Sequence, residues 1–270
     1  MTVAQGGPAV GAERPHPHLS VVRDGAVLTV TLDNPARRNA QTPTLWTALA
    51  DLAASVGDDV RVVVLRAEGS VFSAGLDRAM LAPGGLPGEP DVLAAAAPGA
   101  TAAEAMIEQL QAGFARWRSV PAVVVAAVQG HAVGAGFQLA LAADLRIVAD
   151  DVQLAMRETS LGLVPDLAGT RPLVELVGYA RALEICATGR AVGAAEAVAT
   201  GLANLAVHLA DLAATTDDLV AALLATPPAA LRELKPLLAG AASSTAADQL
   251  RAERSAQARL LHRLATGPSA

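Results

Sequence analysis

Apolar and polar residues alternate from Ala26 to Leu32, which puts Leu28, Val30 and Leu32 on one face, the pattern of a half-buried strand. Asp33-Asn34-Pro35 ends that run. Thr42 followed by Pro43 reads as a helix start, and Leu45, Leu49, Leu52 and Val56 supply an apolar stripe at helical spacing. Val60 to Arg66 is apolar without alternation, as in a strand covered on both faces. Strand, helix and strand recur over the first two-thirds, so the class predicted is α/β.

The pattern also repeats. Val62-Val63-Val64, Gly69 and Ala74-Gly75 recur as Val123-Val124-Val125, Gly130 and Ala135-Gly136, each 61 positions later. Two equivalent strand–turn units suggest a stacked spiral rather than a single wound sheet. Leu81 to Ala103 is rich in Pro, Gly and Ala, has little periodicity, and predicts a mobile loop placed as a lid. After Gly201 the pattern is nearly all helical, with helices predicted over Asp211–Ala225, Pro228–Ala239 and Ala246–Ala265. The expected organisation is a flexible lead-in over 1–18, a core over 19–200 and a helical region over 201–270. That last region is small and Ala-rich, so it is expected to pack on the core or on a neighbouring subunit.

Ser119 to Ala143 carries no charge over 25 residues, enough for a membrane span. Gln129-Gly130-His131 and Gly134-Ala135-Gly136 interrupt it and would leave polar groups unpaired in lipid, so a buried strand, a turn and a buried helix are predicted instead.

Composition narrows the function classes. The chain has 270 residues, 53% hydrophobic and 17% charged, sufficient for a sizeable core. Aromatics are only 2%, which predicts an aliphatic core dominated by alanine. A formal charge of −6 argues against a general binder of nucleic acid or anionic membrane. Lys235 is the single lysine among 20 basic residues, so positive charge is placed as arginine, suited to planar anion contacts. Cys186, the one cysteine, reads as a buried, inert thiol inside a helix, and no Cys/His cluster has metal-ligand spacing. No basic stretch followed by an apolar one marks the first residues, and the cytoplasm is the expected location.

Gly134-Ala135-Gly136 is not a dinucleotide fingerprint, because residue 139 is Leu, and neither a Walker sequence nor a Gly-x-Ser-x-Gly elbow occurs. A helix starting near Ala135 after a buried strand presents free backbone N–H groups, and the turn Phe72–Asp77 presents a second set. Two readings stay open from spacing alone. Either the N–H groups converge on a carbonyl oxygen, or the glycines only permit tight turns and close packing.

Phe72-Ser73-Ala74-Gly75-Leu76-Asp77, Gln129 to Gly136 and Leu161-Gly162-Leu163-Val164-Pro165 together resemble the enoyl-CoA hydratase/isomerase (crotonase) family. Asn34 to Ala40 and Val177 to Ala182 are similar to its flanking segments, and the resemblance runs over about residues 20–265. It implies a spiral of ββα units, a C-terminal helical trimerisation region, and a homotrimer or dimer of trimers. It further implies an acyl-CoA substrate, coenzyme A being part of that substrate, with no separate cofactor and no metal. The thioester oxygen would be held by the backbone N–H groups of Leu76 and Ala135, stabilising an enolate. Arg37, Arg38, Ala74, Leu76 and Asp77 fall at the positions expected to line bound CoA.

The resemblance breaks at one carboxylate. The family's hydratases flank a water with two glutamates, at positions that here hold Gln138 and Glu158. Gln138 cannot act as a base, whereas Glu158 can. Asp166 stands where the family's dienoyl-CoA isomerases place a further carboxylate. One glutamate suits moving a double bond from the 3- to the 2-position, with Glu158 as proton shuttle and Asp166 as helper. The alternatives are a hydratase in which Gln138 positions water, and an acyl-CoA-binding protein with little turnover. Without catalysis, Glu158 reads as a helix-start carboxylate paired with Arg157 or Arg171, Asp166 as a turn residue, and Arg37 and Arg38 as a solvated loop pair. His131 is expected to be structural, and Ser73 lacks a base that would make it a nucleophile.

Overall fold

The computed structural model describes residues 12–267 and contains a seven-stranded and a three-stranded sheet. The strands are β1 (Glu13–His16), β2 (Leu19–Asp24), β3 (Val27–Leu32), β4 (Val62–Ala67), β5 (Val123–Val128), β6 (His131–Val133), β7 (Leu145–Ala149), β8 (Gln153–Ala155), β9 (Ala191–Gly193) and β10 (Leu205–Val207). The larger sheet runs β1-β2-β3-β4-β5-β7-β10, and the smaller β6-β8-β9. In the larger sheet β1, β2 and β3 form an antiparallel meander, after which β3, β4, β5, β7 and β10 pair in parallel; in the smaller, β6 and β8 are parallel and β8 and β9 antiparallel. The helices are α1 (Pro43–Ser55), α2 (Val92–Ala96), α3 (Ala100–Ser119), α4 (Ala135–Ala142), α5 (Thr170–Val177), α6 (Tyr179–Thr188), α7 (Ala194–Ala199), α8 (Leu212–Ala225), α9 (Pro228–Ala241) and α10 (Ala246–Thr266). The α/β class is as predicted.

The sequence repeat is the register of the sheet itself. Val62 pairs with Val123, Val63 with Val124 and Val64 with Val125. In the turns beyond the strands the register slips, because Ser73 bridges to Ala132, two residues short of the repeat.

Several expectations are corrected. Of the lead-in over 1–18, residues 1–11 lie outside the described residues, while Glu13–His16 is a strand on β2 and Arg14 pairs with Asp33 at 2.6 Å. The segment from Leu81 to Ala103 contains α2 and the start of α3. Asp91 starts α2 by accepting from the N–H groups of Leu93 (3.0 Å) and Ala94 (2.9 Å), a cap concealed by the surrounding alanines. Thr42 precedes α1, but its side chain makes no cap bond. Glu89 does so instead, accepting from the Thr44 N–H at 2.9 Å and its hydroxyl at 2.5 Å, which fastens the preceding loop to α1.

The described residues divide into two compact units, one ending at Asp217 and the other starting at Asp218. The first extends beyond the expected boundary at 200 because β10 continues the large sheet alongside β7. In the second, α9 and α10 are joined by Arg259 and Glu233, 2.6 Å apart, and by Gln249 donating to the Leu237 carbonyl at 3.2 Å. Among the described residues no helix is long and apolar enough to cross a membrane, and the uncharged stretch divides into β5, β6 and α4.

The core is aliphatic along the sheet but not purely so. All three phenylalanines (Phe72, Phe114, Phe137) and both tryptophans are buried, with Trp46 edge-on to Phe114 at 5.8 Å between ring centres. Few aromatics suffice because each buries far more surface than an alanine.

Candidate active site

The turn Phe72–Asp77 is positioned by a buried polar chain. The Trp46 indole N–H donates to the Gln41 side-chain oxygen at 2.8 Å, and the Gln41 amide donates to the Ser73 hydroxyl at 3.1 Å. That hydroxyl donates to the Asn39 carbonyl at 2.7 Å and accepts from the Gly75 N–H at 3.1 Å. Ser73 is therefore committed to scaffolding, in line with its exclusion as nucleophile. Asn39 donates to the carbonyls of Glu68 and Val71, both at 2.9 Å. The scaffolding part played by Asn39 and Gln41 is announced by no motif of their own; Asn39 lies in the segment Asn34 to Ala40 and Gln41 just beyond it.

Backbone pairing completes the placement. The Gln41 N–H donates to the Gly75 carbonyl and its carbonyl accepts from the Asp77 N–H, each at 2.8 Å. A parallel bridge of this kind leaves the N–H of Leu76, the intervening residue, directed away from Gln41. On the other side, Ser73 donates to the His131 carbonyl and accepts from the Val133 N–H, both at 3.0 Å.

Gly75 makes this approach possible. Its φ is +86°, and a Cβ there would lie 2.3 Å from the Val133 carbonyl oxygen and 3.5 Å from the Ala135 nitrogen. Ala135 opens α4, so its N–H has no partner within the helix. The two donors named from the resemblance, Leu76 and Ala135, are thus brought to one place.

The carboxylates lie at the same helix start. Gln138 is buried on α4, and its side-chain oxygen accepts from the N–H groups of Leu167 at 2.9 Å and Gly169 at 3.2 Å. Its amide nitrogen donates to Glu158 Oε1 at 2.7 Å. Glu158 Oε2 is buried without a hydrogen-bond partner. The carboxylate rests over Gly134, where a Cβ would be 3.2 Å from Oε1. Arg171 pairs with Glu175 at 2.7 Å, so it is not the partner of Glu158. Burial pushes the Glu158 carboxyl above the usual range, and the nearby Asp166 carboxylate adds to that rise, partly offset by the Gln138 bond. Burial likewise raises Asp166, whose main-chain carbonyl is held by the Gln111 amide at 2.6 Å. Gln111 carried no motif and was not expected at the site.

The candidate CoA residues also gather. Arg37 and Arg38 are exposed, Arg38 accepts the Ala74 N–H through its carbonyl at 2.9 Å, and Arg37 pairs with Asp77 at 2.8 Å. Asp77, nearly buried, also accepts from the Ala79 N–H at 3.1 Å, so it anchors the turn and Arg37 rather than facing an anion. His131 is exposed on β6. Cys186 is half-buried on α6, and burial, reinforced by the Glu158 charge, raises its thiol pKa.

A family model for enoyl-CoA hydratase/isomerase matches residues 23–267. The chain belongs to this family. Within it, the carnitinyl-CoA dehydratase of Escherichia coli K12 is 33% identical over 222 residues, covering 81% of this chain and 79% of the relative. A Thermobifida fusca YX protein assigned as an enoyl-CoA hydratase, solved with CoA, superposes with a TM-score of 0.87 at 47% identity, covering 93% of this chain and 95% of the other. The same protein with acetoacetyl-CoA gives 0.85 at 48% identity, covering 93% and 96%. This member of the enoyl-CoA hydratase/isomerase family thus has the crotonase fold.

Proposed function

We propose that this enzyme moves a carbon–carbon double bond from the 3- to the 2-position of an enoyl-CoA. Glu158 removes a proton from carbon 2, the electron pair passes through the 3,4 double bond and the thioester, and the same carboxyl returns a proton to carbon 4. The dienolate charge rests on the thioester oxygen, held by the Leu76 and Ala135 N–H groups. Arg37 and Arg38 meet the CoA phosphates. One observation carries the reading. Gln138 uses both lone pairs of its oxygen on Leu167 and Gly169 and directs its nitrogen to Glu158, so it neither titrates nor accepts a proton from water.

Hydration or dehydration is the second reading, favoured by relatives named dehydratase and hydratase. In that case Asp166, raised by burial beside Glu158, supplies the second titrating group. Purified enzyme offered 3-enoyl-CoA and 2-enoyl-CoA separately distinguishes the two, with products followed by mass and ultraviolet absorbance. Conversion of the 3-enoyl ester to the 2-enoyl ester, with no change in mass, supports isomerisation. Equal or faster formation of the hydroxyacyl product from the 2-enoyl ester overturns it, and tight binding with no turnover of either assigns a binding role. The exposed Leu238 and Leu264 support the expected homo-oligomer, which sedimentation tests.

A further inference from the structure

We infer that Gln138 is a positioning residue that selects Oε2 of Glu158 as the atom that carries the proton. This rests on the acid–base role proposed for Glu158 but not on which product forms.

The selection follows from an amide whose direction is settled by its neighbours. The Leu167 and Gly169 N–H groups both point at one end of the Gln138 side chain, and N–H groups bond only to oxygen. The nitrogen end must therefore face Glu158, as its 2.7 Å contact with Oε1 requires. Oε1 is thereby occupied by a donor. Oε2, buried and unpartnered, is the oxygen on which no donor competes with a proton. Reversing the amide would oppose its oxygen to a carboxylate and leave two backbone N–H groups facing an NH₂, so the orientation has one solution.

The same amide holds the loop that bears Asp166. A Cβ on Gly169 would lie 2.6 Å from Gln138 Cγ, so the loop is seated directly on this side chain. Gln111 holds the Asp166 carbonyl from α3. Two neutral glutamines thus hold the Glu158 carboxyl and the Asp166 main chain without adding a charge beside them. The titratable groups around Glu158 are Asp166 from this loop and Cys186 from α6, while α4 presents only Gln138.

The test measures deuterium uptake from solvent at the carbon beside the thioester of a bound acyl-CoA, by mass, as a function of pH. It reports proton transfer whichever product the enzyme makes. Q138M keeps the volume and removes both amide ends. Its exchange rate is expected to fall roughly 10–100-fold with ester affinity little changed, because a base misplaced by about an ångström loses about that much. The acidic limb of its pH profile is expected to move upward, since the Glu158 anion has lost its donor. Q138E, which keeps the acceptor for Leu167 and Gly169, guards against a folding failure. Placing a second carboxyl against Oε1, it is expected to split the profile into two coupled steps. Folded Q138M and Q138E variants with wild-type exchange rates and pH profiles would overturn the inference. Absence of exchange in the wild type would instead overturn the acid–base role of Glu158 on which it rests.

Discussion

Gly75→Ala separates backbone strain from a steric clash and links both to chemistry. At a φ of +86° an L side chain costs about 1–2 kcal/mol. The new methyl would also stand 2.3 Å from the Val133 carbonyl oxygen, a backbone atom of β6, and such overpacking adds about 1–3 kcal/mol. The expected loss is therefore about 2–5 kcal/mol. Gly84→Ala is the matched control, with a φ of +83° and nothing within 4 Å of the added methyl, so only the first contribution of about 1–2 kcal/mol applies. Urea unfolding of both variants reads the difference as a shift in midpoint at constant slope. Relief of the clash requires the 72–77 turn to move away from α4, separating the Leu76 and Ala135 N–H groups. Turnover of folded G75A is then expected to fall about 100–1,000-fold, the usual cost of losing one such donor. Equal destabilisation of the two variants would refute the contact argument, and wild-type kcat in folded G75A would refute the role assigned to the turn.

Three further variants have definite expected outcomes. Glu158→Gln should reduce turnover at least about 100-fold in the same enoyl-CoA assays. Because folding raises the Glu158 pKa, its favourable contribution is complete below the ordinary value of 4.5 and lost as pH climbs through the higher folded value, so E158Q should gain stability relative to wild type across that window in pH-dependent melts. Arg37→Ala should cost at most about 1 kcal/mol in denaturation, since its pair with Asp77 is 58% exposed on the arginine side, yet raise KM for CoA esters severalfold, the effect shrinking with added salt. Arg146→Met should destabilise the fold by about 3 kcal/mol in the same denaturation assay. The buried guanidinium, its pKa lowered to about 10 by burial, is still charged at neutral pH and holds the carbonyls of Leu202 and Ala143 at 2.6 Å.

What could be read from the chain was whatever depended on periodicity. The valine runs at 62 and 123 predicted paired strands because parallel register preserves their offset. The start of α1 was legible from Pro43, whose fixed φ suits a first helical position. Departures arose where a single long-range contact decides. The slip of two residues between Ser73 and Ala132 follows from Gly75 lying against Val133, which no local pattern encodes. Glu89 reaches Thr44 across 45 positions, so the loop containing it looked free in sequence. At the site, the replacement of a carboxylate at Gln138 was visible, but the direction of its amide depends on the N–H groups of Leu167 and Gly169.

The donors of Leu76 and Ala135 belong to the main chain, and this separates two kinds of change that usually travel together. The half-buried Leu76 side chain can be exchanged while its N–H vector stays where Gly75 and the Gln41 bridge put it, whereas Ala135 is packed in the core and tolerates no bulkier group. In the proposed mechanism, a change of side chain at Leu76 therefore leaves the charge-stabilising N–H group in place. The same separation makes the donors invisible to an alanine scan, which at position 135 has nothing to remove. Amide-to-ester exchange, which deletes one hydrogen and keeps every side chain, is the perturbation that addresses them.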